Sequence, residues 1–451
     1  MAAFLNNCRF IPTAGGTTDW VYASAVGGCQ SPSLAGAVDG RKYKFLAISS
    51  DLTQWEIAEG AYAAASGAFA RTAVLYNSSG SGAASGQSGA GTRINFTVAP
   101  NVAVVGVKED LLSIEEPNAF TATQMAQARA NLGVTKKNYF INAGMQISQE
   151  NGTTTVALGS AGALTYPVDQ TFGVMASSGA GAANVAQVAS ATPGGSTHRI
   201  RVTVTAAQTT INAGDFCLLI QKIEGLRVAD LKSGSASAKT VTVQFGCKGP
   251  AGTYCISVRN AAASRTYIGE YTIQPGEANT DVIKSLTFAL DQTGTWASDN
   301  TAGLVIGWGL AVGSTYQQAA GAWGSTNTLA SSNQFNLLST SGNVFELFDI
   351  GIYEGAVAPP FQLPDAASEL ALCQRYYVKI AAGAQVYNGS ASVQQMAATT
   401  PLPVCMRATP TCSVSTGAIQ VAGINFVTSY TSSVAAGTWY NPVNVLANAR
   451  L

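Results

Sequence analysis

Short runs in which apolar or aromatic residues alternate with polar ones, separated by Gly, Asn and Ser, recur along almost the whole chain. Successive side chains of an extended strand point to opposite faces, so period two marks a strand with one buried face. Residues 41–48, 54–60, 71–76 and 92–98 carry the pattern in the first part of the chain, and 102–107 is an apolar run that reads as a buried strand. The pattern returns at 199–205, 240–245, 254–259, 267–273, 284–290, 304–310 and 344–353. Many short strands of this kind, joined by turn residues, predict an all-β chain.

A length of 451 residues corresponds to about three domains. Residues 1–116 are expected to form a small N-terminal β domain, a barrel or sandwich, interrupted by a Ser/Gly/Ala stretch at 78–91 that reads as a flexible loop. Residues 117–138 read as a short helical linker. Thr121 to Gln124 has a capping-box pattern, the next eight residues favour helix, and Gly133 can end it. Residues 139–362 are expected to build a jelly-roll-like β-sandwich, closed by a stiff break at Pro359, Pro360 and Pro364. Residues 363–451 form a C-terminal β-rich module that starts with a helix capped by Asp365.

Charged residues make up 11% of the chain and the formal net charge is zero. Ordinary domains carry about 25% charged residues, so this surface offers no electrostatic footprint for nucleic acid or anionic membrane. No run approaches the roughly 18–20 apolar residues of a membrane helix, and residues 1–9 have no basic or long apolar region of a secretory signal. The eight cysteines (Cys8, Cys29, Cys217, Cys247, Cys255, Cys373, Cys405 and Cys412) include no Cys-x-x-Cys pair, which argues against redox and zinc-ribbon sites. Cys247 and Cys255 flank a turn-rich stretch, and a hairpin centred on Ala251 would face them for a disulfide. Two reduced, buried thiols are the alternative. Cys405 and Cys412 flank a similar turn.

The chemistry-bearing residues assemble no catalytic motif. His198 is the single histidine, and Ser196 beside it lies outside any Gly-x-Ser-x-Gly elbow. Multi-histidine metal sites within one chain are excluded; only copies of His198 meeting on a three-fold axis would make one. Glu109 with Asp110, Glu115 with Glu116, and Asp349 with Glu354 are the carboxylate pairs that a glycan-degrading enzyme would need, but the long repeats of β-helical depolymerases are missing. The glycine-rich stretches at 80–82 and 89–91 lack the strand, helix and Lys-Ser/Thr of a nucleotide loop. Exposed aromatics are the better lead, because sugar rings stack on them through apolar C–H faces. Trp323, in a loop-like stretch, and Trp439 with Tyr440, near the C-terminus, are the candidates for glycan binding. Trp296 is also considered, Trp308 is expected in the core, and ordinary packing is the alternative for each.

Three patches resemble bacteriophage virion proteins. QWEIAEGAY at 54–62, with RTAVL at 71–75 and INF at 94–96, looks like the attachment domain of tail or neck fibres. VIKSLTF at 282–288, with GTWASDN at 294–300, looks like the sandwich domain of phage tail proteins, which resembles carbohydrate-binding modules. ELALCQRYY at 369–377, followed by PLPVCMRATPT at 401–411, is similar to a pattern at the C-terminal end of phage tail proteins. The resemblance implies a non-enzymatic virion appendage with no cofactor, made in the host cytoplasm, whose partners are its own copies in a homotrimer, other tail, neck or baseplate proteins, and a host-surface glycan. A trimer would bury Ala-rich and Gly-rich faces that a monomer exposes. Cys8, Cys29, Cys247, Cys255, Cys405 and Cys412 lie outside these motifs and are expected to mark disulfides that lock the appendage after lysis, with Cys8 as the candidate intersubunit cysteine. A capsular polysaccharide depolymerase and a collar or whisker protein without a receptor are the other readings.

Overall fold

The computed structural model describes residues 4–79, 91–107, 128, 137–159, 162–381, 385–440 and 444–451. The chain is all-β and forms two compact units, 1–120 and 121–451. The helical reading of 117–138 falls almost wholly outside the described residues, as do Glu109, Asp110, Glu115 and Glu116.

The first unit contains β1 (Arg9–Pro12), β2 (Trp20–Ala25), β3 (Lys42–Ile48), β4 (Trp55–Ala63), β5 (Ala68–Phe69), β6 (Ala73–Asn77) and β7 (Asn101–Val104). They pair antiparallel in the order β3-β7-β1-β2-β5-β4-β6, and β3 pairs with β4 from Lys42 to Ile48, so the sheet closes on itself as a small barrel. The alternation read from the sequence sets the register: Tyr43, Phe45 and Ala47 of β3 and Ala58 and Tyr62 of β4 all point inward. Phe69 sits at the centre, with the rings of Phe10, Tyr43, Phe45 and Tyr62 at 4.9–5.7 Å. Gly60 is required where β4 meets the segment that follows β5, since a Cβ there would lie 1.5 Å from the carbonyl oxygen of Ala70.

Glu56 shares the inward face of β4 and meets Arg71 in a forked ion pair, with Nε donating to Oε1 at 2.7 Å. The same guanidinium lies 4.2 Å from the Trp20 ring centroid and donates to the carbonyls of Gly16, Thr18 and Ile94. Glu56 in turn accepts from the Ile94 amide at 2.8 Å. The residues that carry the first resemblance are therefore the ones that tie three loop segments to the barrel wall.

The second unit opens with β8 (Val156–Ala157), β9 (Thr171–Ala176), β10 (Ala182–Ala189), β11 (His198–Ala206), β12 (Phe216–Glu224) and β13 (Thr240–Lys248). It continues with β14 (Gly252–Arg259), β15 (Thr266–Ile273), β16 (Val282–Ala289), β17 (Ala302–Val312), β18 (Trp323–Gly324) and β19 (Val344–Glu354). These make two antiparallel sheets, β16-β13-β19-β11-β10-β8 and β18-β15-β14-β17-β12-β9, and together a β-sandwich. Trp308, expected in the core, is fully buried between them, with Phe140 at 5.8 Å and Phe245 at 5.9 Å between ring centroids.

This topology corrects the hairpin expected around Ala251. Cys247 lies near the end of β13, which pairs with β16 and β19; Cys255 lies in β14, which pairs with β15 and β17. The turn between them carries the chain from one sheet to the other, so the two cysteines belong to opposite layers. All eight cysteines are unbonded thiols. Cys8, expected to bridge subunits, is 3% exposed in the barrel core, and burial pushes its thiol up to about 11. Cys405 and Cys412 each turn to a nearby carbonyl, of Met406 and Pro410, rather than to one another.

The last part of the unit holds β20 (Tyr377–Ile380), β21 (Val386–Tyr387), β22 (Gln394–Pro401), β23 (Thr411–Ser413), β24 (Ala418–Ala422), β25 (Phe426–Val434), β26 (Trp439–Tyr440) and β27 (Val445–Asn448). They form three small sheets, β20-β27-β23, β21-β26 and β22-β25-β24. The helix Ala366–Gln374 precedes them, and Asp365 caps it by accepting from the Ser368 amide at 2.9 Å.

The third resemblance patch fastens this part to the sandwich. Arg375 forks onto the buried carboxylate of Glu224 in β12, and the Tyr376 hydroxyl donates to the same carboxylate at 2.6 Å. Arg407 donates to the Asn300 carbonyl at 2.7 Å, while the Asn300 amide donates back to the Arg407 carbonyl at 2.8 Å. Arg450 is held between the rings of Tyr166 and Tyr377, at 3.7 and 3.9 Å from their centroids.

Candidate functional site

Trp439 and Tyr440 are neighbours in sequence, and the strand they share separates them. β21 and β26 pair antiparallel with Val386 opposite Tyr440 and Tyr387 opposite Trp439. Adjacent residues of a strand face opposite ways. Tyr440 and Val386 therefore turn inward onto Ala398, Val434 and Met396, and Tyr440 is 2% exposed with its hydroxyl donating to the Thr416 carbonyl. Tyr440 is a core residue, which corrects its reading as a glycan contact.

Trp439 and Tyr387 turn outward, 62% and 47% exposed. Their ring centroids are 5.1 Å apart and the planes are tilted by 49°. Cross-strand aromatic pairs of this kind support one another, so the two rings present a shared apolar surface. Gly389 leaves the Tyr387 ring uncovered: a Cβ there would stand 3.7 Å from the ring edge. Asn388 holds the flanking turns, donating to the carbonyls of Val434 and Ser392 and accepting from the Ser390 amide. Ser390, Ser392 and Gln394 follow as exposed hydroxyl and amide groups, bonded to one another. Sequence reasoning missed Tyr387; its signal was its place in an apolar-aromatic pair, Val386-Tyr387, ahead of an Asn-Gly turn.

Trp323 lies in the short strand β18 rather than in a loop. Its rings pack against Tyr267 at 5.6 Å and Trp296 at 5.6 Å, with Phe288 at 6.5 Å, and its indole N–H donates to the Ala289 carbonyl. Trp323 and Trp296 are half-buried at one edge of the sandwich.

The remaining candidates are separated or occupied. The Ser196 hydroxyl is buried and donates to the Gly144 carbonyl, while the His198 ring bonds the Thr197 hydroxyl at 2.8 Å, so the two side chains do not pair. Asp349 is buried and accepts from the Thr192 hydroxyl and the Gly194 amide, and burial raises its carboxyl above the ordinary range. Glu354 pairs with Lys239 at 2.9 Å. A pocket of about 290 Å3 opens beside the proline-rich break, lined by Phe140, Leu363 and Leu372 with Arg227 and Glu369. Its polar groups are bonded inside the chain: Arg227 donates to the carbonyls of Tyr139 and Asn138, and Glu369 accepts from the Asn142 amide. Among the described residues no three His, Cys, Asp or Glu side chains converge as a metal site, and no helix is long and apolar enough to cross a membrane.

No family model matches the sequence, and no curated protein matches it. Among solved structures, 48% of the chain is similar to 21% of the enzymatically active domain of tailspike protein 4 from bacteriophage CBA120, at 9% identity and a TM-score of 0.26. The chain thus spans about a fifth of that tailspike domain. A family 11 carbohydrate-binding module of a Clostridium thermocellum cellulase is matched over 96% of its length and 45% of this chain, at 11% identity and a TM-score of 0.23. A family 61 module in complex with β-1,4-galactotriose is matched over 99% of its length and 49% of this chain, at 10% identity and a TM-score of 0.23. Likenesses this faint carry neither ligand nor activity to this chain, and its fold stands on the strand pairings above.

Proposed function

We propose that the chain is a non-catalytic structural appendage of a phage virion, a tail or neck fibre. It docks on the particle by its N-terminal domain, assembles as a homotrimer and presents its outer β domains to a host-surface glycan. The observation that carries the binding part is the Tyr387–Trp439 pair. Two large rings left this exposed on adjacent strands are spare surface for the fold, and aromatic faces are what the apolar side of a sugar ring stacks on. The appendage part is supported by the three resemblance patches. Residues of the first patch build the buried Glu56–Arg71 clamp of the barrel, and Arg375 of the third fastens the C-terminal part to Glu224.

The test is binding of the full-length protein to purified host envelope polysaccharide, beside its Trp439→Ala variant. Retention of the wild type and loss of the variant are expected; equal retention of both removes the platform from the reading. Imaging of intact virions with a label on the N-terminus tests the docking, which requires the label at the particle end of the fibre.

A further inference from the structure

We infer that the ligand of the Tyr387–Trp439 platform is a neutral polysaccharide, one carrying no carboxylate, sulfate or phosphate; this rests on the glycan-binding reading of the same rings. Along residues 380–449 the sequence holds a single charged side chain, Arg407. That guanidinium is turned away to the sandwich joint, where its donors are taken by the carbonyls of Asn300, Ala449 and Arg450. The groups that flank the platform are neutral hydroxyls and amides: Ser390, Ser392, Gln394 and Thr438.

An anionic sugar laid on Tyr387 and Trp439 would lose part of its hydration and find, within residues 380–449, no cation free to replace it. Burying an uncompensated charge is costly, whereas hydroxyls of a neutral sugar find matching donors and acceptors in Ser, Gln and Thr. Charge complementarity, which sets specificity at polar interfaces, here favours a ligand without charge. The same lack of charge makes binding insensitive to salt, because screening acts on charge pairs alone.

Affinity electrophoresis of the full-length protein tests this in gels containing a neutral glucan, galactan or mannan, and in gels containing polygalacturonate or dextran sulfate, each at low and high salt. Retardation by a neutral polymer, unchanged by salt, is expected. Trp439→Ala and Tyr387→Ala should each weaken it roughly tenfold or more, the scale of removing one stacked ring. Retardation by the acidic polymers alone, lost at high salt and dependent on Trp439, would overturn the neutral ligand and leave the glycan reading intact. Silence in all gels would overturn the glycan reading, and the inference with it. Retardation unaffected by either substitution would overturn the assignment to this platform. Both residues are exposed, and unchanged melting temperatures of the variants show that loss of binding is not loss of fold.

Discussion

Replacing Glu56 by Gln removes one charge from a pair that has no access to water, since the Arg71 and Glu56 side chains are 0% and 1% exposed. The guanidinium of Arg71 is left buried without its counter-charge. It keeps the carbonyls of Gly16, Thr18 and Ile94 as acceptors but loses the carboxylate that it pairs with among the described residues. Removing one partner of a buried pair costs about 3–5 kcal/mol. At about 4 °C per kcal/mol for a unit of this size, melting of the barrel falls by roughly 12–20 °C. Calorimetry of the full-length protein reads the shift, and hydrogen exchange in the peptides of β3 and β4 assigns it to the first unit. Replacing both residues by Met removes both charges together, and this double variant should lose less than Glu56→Gln alone. A single variant within about 1 kcal/mol of wild type, or a double variant less stable than the single, would refute the account of Arg71 as an ion that the barrel must neutralise.

Tyr440→Phe should leave glycan retention unchanged and cost about 1 kcal/mol in chemical denaturation, the scale of one internal hydrogen bond; a loss of binding would return Tyr440 to the site. Arg375→Ala should cost about 2 kcal/mol, the scale of hydrogen bonds to a buried charge, and raise hydrogen exchange in the helix Ala366–Gln374 and β20, whereas exchange rising evenly over the sandwich would contradict a local fastening. Burial raises Asp349, so the stability tied to its protonated form is full below the unfolded value of about 3.9 and is lost as pH rises through the folded value. Asp349→Asn removes that loss, and Asn tolerates the φ of 48° there; its melting temperature should gain on wild type as pH rises from about 4, and a pH-independent difference would rule this out. Under native conditions iodoacetamide should label Cys405, the one exposed cysteine, well before Cys217 and Cys247, whose thiols burial pushes up to about 12; mass-spectrometric mapping that finds those two labelled first would contradict their burial.

The strands were legible because their information is local. Alternation in Lys42–Ile48 and Trp55–Ala63 fixes both the element and its buried face, and Asp365 as a cap needs nothing beyond its own turn. What failed depends on partners distant in sequence. Cys247 and Cys255 sit on either side of a turn that looks like a hairpin, and nothing in residues 248–251 says that the strands on either side join different sheets. Trp439 and Tyr440 are equivalent as aromatics, and only their register against Val386 and Tyr387 decides which one meets solvent. Glu56 and Arg71 are 15 residues apart, and a charged residue at an inward position reads as an interruption of the alternation until its partner is known.

In the sandwich, β10–β11 and β14–β15 are hairpins between neighbouring strands, whereas β11–β12, β12–β13, β13–β14, β15–β16 and β16–β17 each cross to the opposite layer. Most of the contacts that stabilise the native state therefore join segments far apart along the chain. Folds with this contact order gain little until much of the chain has come together, and they mature in milliseconds to seconds rather than microseconds. The two hairpins are the places where structure starts cheaply. Until β17 and β19 insert at the centres of their sheets, the strands beside them keep open edges that the same strands of another copy can fill. Refolding yield should then fall steeply with protein concentration, and a cell making many copies at once would depend on keeping young chains apart.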